Sequence, residues 1–313
     1  MKTGIGKARN ACLRKTLSRD MKQNGSLYLL MLPVLAYFVI FYYVPMYGAV
    51  IAFKDFSPAK GIMGSSWVGL ANFRDFFTSR YFLRVLTNTL RISLTSLAVN
   101  FPSAIIFALL INELRRKWFV KTVQTITYMP HFISLVVMCG LVTEFTSADG
   151  IVNDVMAFFG AERATLLNKP ECFLPIYILS GLWQNLGWDS IIYLAALAGI
   201  DQELYEAAAL DGAGKLRQTC SVTLPGILPT IIIMFILSVG NILNVGYEKI
   251  ILLYNPVTYD AADVISSFVY RKGLQDMQFS YSTAVGLFNS VVAFIFVMTT
   301  NAICRKAGEV SLW

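Results

Sequence analysis

Long apolar runs, rather than a strand-like alternation, organise this chain. A helix needs about 20 mostly apolar residues to cross a hydrocarbon core. Six stretches meet that need: residues 23–53, 92–112, 122–143, 172–200 (interrupted at Asp189), 218–247 and 277–304. The first is too long for the about 7–15-residue core of a cleaved signal peptide and ends at no small-x-small site, so it reads as a retained anchor. No low-complexity tract or internal repeat divides the chain. The expected fold is an all-α polytopic membrane protein with six transmembrane helices.

Composition narrows the class further. Hydrophobic side chains make up 56% of the 313 residues and charged ones 14%, against about 45–50% and about 25% in soluble domains. A disordered chain is excluded by the same values, and 21 Gly and 5 Cys exclude a collagen-like or disulfide-dense fold. Cys12, Cys139, Cys172, Cys220 and Cys304 stand singly and read as small hydrophobes. With a single histidine, no metal set is expected.

The basic residues orient the spans. Lys2, Lys7, Arg9, Arg14, Lys15, Arg19 and Lys22 precede the first span, and Arg115, Arg116, Lys117 and Lys121 fill the turn after the second. Lys215 and Arg217 precede the fifth, and Arg305 and Lys306 follow the sixth. Positive residues stay on the cytoplasmic side, so both termini are expected there. The acidic stretch 144–171 faces outward; the first outer loop dissents, with Lys54, Lys60, Arg74, Arg80 and Arg84. This asymmetry accounts for the net charge of +7 without nucleic acid.

Polar groups inside hydrocarbon are costly and tend to face the bundle interior or an aqueous path. Trp183, Gln184, Asn185, Trp188 and Asp189 cluster in the fourth span, followed by Tyr193. Asn241, Asn244 and Glu248 recur at helical spacing in the fifth, and Tyr128, His131 and Ser134 in the third. These groups are therefore candidates for a substrate pathway through the bundle. The alternative, that they bond one another between helices, stays open for each. His131, beside Pro130, reads as a structural hydrogen-bonding group rather than a proton relay.

The loop between the fourth and fifth spans is distinct. Asp201 is a good N-cap, Glu203 and Glu206 suit the positive helix end, and Ala207, Ala208 and Ala209 form helix with little bulk. Gly212 and Gly214 then break the helix, a short basic segment follows, and Pro225 fits a helix start. On composition, an ordinary amphipathic connector and a surface for close approach of a partner, its rim charged by Glu206, Asp211, Lys215 and Arg217, both remain open.

The spacing Glu206-Ala207-Ala208, Gly212, Val222, Leu224-Pro225 resembles the EAA signature of the permease subunits of bacterial ABC importers. Val222 stands where that family usually has Ile, and Thr219 where an aromatic is common. Further blocks resemble the oligosaccharide branch of these permeases: Val44-Pro45-Met46-Tyr47-Gly48, Trp67-Val68-Gly69-Leu70-Ala71-Asn72-Phe73, Tyr128-Met129-Pro130-His131-Phe132-Ile133-Ser134, Gly187-Trp188-Asp189, Gly240-Asn241 and Tyr254-Asn255-Pro256.

This resemblance implies a type I importer permease fold. It implies Glu206, Ala207, Ala208, Asp211, Gly212, Leu224 and Pro225 at the contact with a cytoplasmic ATPase. It also implies a second permease as heterodimer partner, two ATPase subunits, an extracytoplasmic binding protein and an oligosaccharide cargo. The chain is then no enzyme and binds no cofactor itself. It lacks a GxxxxGK[ST] loop, so ATP and Mg belong to the partner ATPase. The implied layout is a basic tail 1–25, a first helix 26–53, an outer loop 54–86, a core 87–304 with its coupling loop at about 201–223, and a tail 305–313, in the bacterial cytoplasmic membrane. A permease for a non-sugar solute is the nearest alternative. A secondary transporter would show repeats and broken helices, neither of which is visible. An intramembrane enzyme would need a carboxylate partner for Asp189.

Overall fold

The computed structural model describes residues 23–243 and 245–308. The basic tail up to Lys22, Cys12, Asn244 and the end from Glu309 to Trp313 lie outside the described residues. The chain runs through α1 (Gly25–Phe53), a two-residue hairpin (Lys54–Asp55 paired with Ser66–Trp67), α2 (Ala71–Thr78), α3 (Phe82–Asn112), α4 (Lys117–Tyr128), α5 (Leu135–Phe145) and α6 (Ile151–Phe158). It continues through α7 (Pro170–Ala198), α8 (Gln202–Leu210), α9 (Lys215–Gly240), α10 (Tyr247–Leu253), α11 (Ile265–Tyr270) and α12 (Phe279–Gly308).

Among the described residues, four helices are long and apolar enough to cross a membrane: α1, α3, α9 and α12. The stretch expected to form the third span is not one straight helix. It is α4, a 3-10 turn at Met129–Phe132, and α5, bent by 100° at the break. Pro130 lacks an N–H, Ile133 is extended, and Ser134 caps the new helix by accepting from Val137 N–H at 3.4 Å. Tyr128, His131 and Ser134 therefore do not share one helical face. A broken helix is present after all. Spacing alone concealed it, because apolar residues continue across the break.

The fourth stretch is a continuous 29-residue helix, α7, about 43 Å long at 1.5 Å per residue. Its indoles, amides and Asp189 keep it outside the purely apolar class. The fifth span ends at Gly240, seven residues sooner than its hydrophobicity suggests, with Asn241 at the cap. Asn241 and Glu248 consequently belong to different elements and do not line one helix face. Pro225 stands, as expected, in the first positions of the α-helical stretch Leu224–Gly240, which a wide π turn, Thr219–Thr223, joins to the earlier part of α9. A proline removes one i−4 hydrogen bond and crowds the carbonyl it would have met, and a widened turn absorbs both. The same device, Val39–Tyr43, precedes Pro45 in α1.

Small side chains set the packing of the central pair. Ala104 and Ala108 of α3 lie against Tyr193 and Leu197 of α7 and Ile227 of α9, as expected where lipid provides no hydrophobic drive and close approach must. Gly187 brings α7 still closer to α4: a Cβ there would collide with the Thr127 carbonyl. A second cluster packs Phe76 of α2 with Val85, Ile265, Phe268 and Val285. The hairpin is tied to α1 through Asn72, whose Nδ2 donates to the carbonyls of Ala52 at 2.9 Å and Lys54 at 3.2 Å.

One buried ionic knot joins α3 to the α10–α11 region. Asp263 is fully buried and accepts from Arg271 Nη2 at 2.6 Å, Ser267 Oγ at 2.8 Å and Arg84 Nη2 at 3.4 Å. Arg84 also reaches the exposed Asp260 at 2.7 Å. Asn88 Nδ2 donates to the Asp260 and Asp263 carbonyls.

Candidate functional site

A cavity of about 330 Å³ opens where α3, α7 and the end of α9 meet. Its wall takes Ser93, Ser96 and Asn100 from α3, Tyr177, Asp189 and Tyr193 from α7, and Ser238 and Asn241 from α9 and its cap. Of the residues expected in a pathway, Asp189, Tyr193 and Asn241 reach this cavity. Asn241 is exposed there while its Nδ2 donates back to the Leu237 carbonyl at 3.2 Å. Asn244 lies outside the described residues.

Ser93, Ser96 and Asn100 were missed in the sequence. The Oγ atoms of both serines and Oδ1 of Asn100 are buried with no hydrogen-bond partner among the described residues. In an apolar bundle such capacity is expensive unless something polar arrives to use it. The signal was legible: the three recur at i, i+3, i+7 in an otherwise apolar helix, one side of α3.

The other polar residues of α7 turn to the broken helix. His131 Nδ1 sits 3.0 Å from Asn185 Oδ1, and the imidazole stacks on Trp188. Gln184 Nε2 donates at 3.3 Å to the Ile133 carbonyl, which the break leaves without a helical donor. Irregular backbone at membrane depth is tolerated where neighbouring groups satisfy it in this way. Trp183 faces elsewhere, onto an apolar recess with Leu141, Phe145 and Leu179. The structure thus separates Asp189 and Tyr193, at the cavity, from Gln184, Asn185 and Trp188, at the hinge.

The loop that carries Glu206 folds as the short helix α8, a tight turn and the first turn of α9. Asp201 Oδ1 accepts from Glu203 N–H at 3.1 Å, capping α8. Gly212 adopts φ +75°, a left-handed conformation that reverses the chain, and Ala213 N–H returns to the Ala208 carbonyl at 2.9 Å. Tyr205 Oη meets Thr223 Oγ1 at 3.0 Å, which braces α8 against α9, and Lys215 Nζ reaches Glu113 at 3.2 Å, which ties the start of α9 to the end of α3. Glu206, Ala207, Asp211 and Pro225 are exposed, Ala208 and Leu224 half-buried. Leu204, Leu210 and Leu216 are exposed beside them, giving an apolar surface rimmed by charge. Among the described residues, no group of three His, Cys, Asp or Glu side chains is placed to hold a metal ion.

Residues 100–305 match the family described as "Binding-protein-dependent transport system inner membrane component". The chain belongs to this family. It is 45% identical over 301 residues to the polygalacturonan/rhamnogalacturonan transport system permease protein YteP of Bacillus subtilis (strain 168), covering 96% of this chain and 94% of that protein. Protein LplB of the same organism is 41% identical, covering 94% of this chain and 92% of LplB. Among solved structures, a bacterial ABC transporter involved in the import of the acidic polysaccharide alginate superposes with a TM-score of 0.87 at 44% identity, covering 94% of this chain and 99% of that one. The same transporter solved with its alginate pentasaccharide-bound periplasmic protein matches equally well in shape, at a TM-score of 0.87. The chain therefore has the type I importer permease fold and is a multi-pass inner-membrane permease component of a binding-protein-dependent transport system.

Proposed function

We propose that this chain is one of two permeases in an ATP-driven ABC importer of oligosaccharides, working by alternating access. The observation that carries the proposal is the coexistence, on one bundle, of a polar cavity and a braced, small-faced helix pair. The cavity offers hydroxyls, amides, a carboxylate and two tyrosines, the mixture a glycan needs. The helix pair offers a docking surface at Glu206-Ala207-Ala208. Relatives named for polygalacturonan/rhamnogalacturonan and alginate transport support the cargo class.

On this reading α7 crosses the membrane despite Asp189, and α4 with α5 forms one broken crossing, giving six spans with both termini cytoplasmic. The core from 87 to 304 carries the pathway, and α8 transmits the closure of a separate ATPase pair that holds ATP and Mg. The bent segment is the natural moving part, since α7 grips it through hydrogen bonds and a ring stack rather than through continuous apolar packing. A second, homologous permease as heterodimer partner and an extracytoplasmic binding protein complete the assembly in the bacterial cytoplasmic membrane.

The test is uptake by proteoliposomes holding the full assembly. Oligosaccharide accumulation should require both ATP and the binding protein. Accumulation driven by an ion gradient without ATP would overturn the coupling role of α8.

A further inference from the structure

A buried cation beside the cavity has no role in the account so far. Lys249 of α10 is buried against α7. Its Nζ donates to the Tyr177 carbonyl at 2.8 Å and lies 4.5 Å from the centre of the Tyr177 ring. Among the described residues, no carboxylate forms an ion pair with it. Ionisable groups inside a membrane bundle pair with an opposite charge or a backbone carbonyl and mark the path of the transported species; Lys249 has the carbonyl and, among the described residues, no opposite charge.

Holding α10 to α7 does not require this charge. The Tyr177 carbonyl already accepts from Ser180 Oγ at 3.1 Å, and Ile250 and Leu253 anchor α10 in the core with Phe173 and Met138. Room is kept for the ammonium at the same place, since a Cβ on Gly181 would come within 3.1 Å of Nζ. The ring that Nζ covers is itself cavity wall, as are Val245 and Gly246 just before α10. The wall contains one acid, Asp189, and no Lys or Arg. Lys249, on a flexible four-carbon stem, lies behind the Tyr177 ring of that wall, and an ammonium has three donors, of which the carbonyl engages one.

We infer that Lys249 is the counter-charge for a carboxylate on the cargo, so that the pathway favours uronate-bearing oligosaccharides over neutral ones. This inference rests on the oligosaccharide reading above.

Proteoliposomes holding the complete importer test it, with ATP-dependent uptake measured for a de-esterified and a partly methyl-esterified oligogalacturonide. The binding protein is the same throughout, so its own preference cancels in each variant-to-wild-type ratio. Lys249→Met is expected to lower uptake of the de-esterified sugar about tenfold, the scale of one lost charge-assisted hydrogen bond, with uptake of the esterified sugar changing less than about twofold. Lys249→Arg, which keeps the charge, should retain the wild-type ratio of the two sugars. Equal loss on both sugars marks Lys249 as a structural clamp and overturns the assignment, as does no loss on either. Where the Met variant fails to assemble, Lys249→Gln, a neutral side chain that still donates to the Tyr177 carbonyl, decides: a loss confined to the de-esterified sugar supports the inference, and an equal loss or none defeats it. Wild-type vesicles that take up neither sugar, with the assembly intact, overturn the oligosaccharide reading and this inference with it.

Discussion

The imidazole of His131 lies flat on the indole of Trp188, with ring centroids 4.3 Å apart and planes 3° apart. His131 belongs to the break between α4 and α5, and Trp188 to the middle of α7. Asn185, one turn from Trp188, fixes the tautomer. Its Nδ2 donates to the Gly181 carbonyl at 3.2 Å, so Oδ1 faces the ring and Nδ1 must carry the proton across the 3.0 Å contact. The bend is thus held by a directional polar contact, which a packed apolar seam would not provide.

Asn185→Leu should leave that N–H without an acceptor, costing about 1–3 kcal/mol of local stability. Uptake is expected to fall while assembly with the ATPase persists. The checks are transport by the reconstituted complex and co-purification of its subunits. Normal uptake at normal expression removes Asn185 from the working parts. His131→Phe keeps a stacked ring without the polar demand, so it should restore most of the stability lost in Asn185→Leu.

Asp263 poses a different energetic question. It is fully buried between Arg271 and Arg84, and taking one partner out of such a pair costs about 3–5 kcal/mol because the remaining charge is stranded. Asp263→Asn should therefore lower the melting temperature of the detergent-solubilised complex by several degrees. A melting temperature equal to wild type would mean that Asp260 and water compensate fully for the lost charge.

The coupling surface is tested by charge reversal. Glu206→Arg places a cation at the exposed rim of α8, and Gly212→Arg forces a side chain into a backbone at φ +75°, at a cost on the order of 1 kcal/mol or more. Either change should abolish ATPase docking or let hydrolysis proceed without uptake. ATP hydrolysis and sugar uptake measured on the same vesicles separate these outcomes, and full coupled turnover in both variants would remove α8 from force transmission.

Most of this architecture could be read from the chain because lipid imposes long apolar runs, and the EAA loop because cap, alanines and glycine follow local rules that hold outside the bundle. The break at Ile133 was hidden by the apolarity of Tyr128 to Val142, where periodicity carries no information about direction. Asn241 and Glu248 shared a helical spacing that the end of α9 at Gly240 cancels. Asp189 and Asn185, four residues apart on one face of a continuous helix, still meet different surroundings, because the cavity opens one turn further along α7 than the break. That division depends on what packs against each turn of α7, a long-range fact that no local pattern encodes. Lys249 escaped for the same reason: next to the more conspicuous Glu248, nothing in its neighbourhood distinguishes the buried cation from the exposed acid.

The cavity wall offers a test in which function and stability should move in opposite directions. Asn100 Oδ1 is buried without a partner among the described residues, so the amide carries a desolvation cost that they do not offset. Replacing it by the nearly isosteric Leu removes that acceptor, and the loss of an unmet polar group is expected to be neutral or stabilising by up to about 1–2 kcal/mol. If Asn100 exists to meet sugar hydroxyls, Asn100→Leu should raise the melting temperature of the complex and reduce uptake in the same preparation. Asn241→Leu provides the control, because its amide already bonds the Leu237 carbonyl, so it should lower uptake with no gain in stability. A parallel fall of stability and uptake in Asn100→Leu would assign the residue to packing. Opposite movement is the signature of a group kept for the cargo, because a binding site tolerates unmet hydrogen bonds only where a ligand completes them.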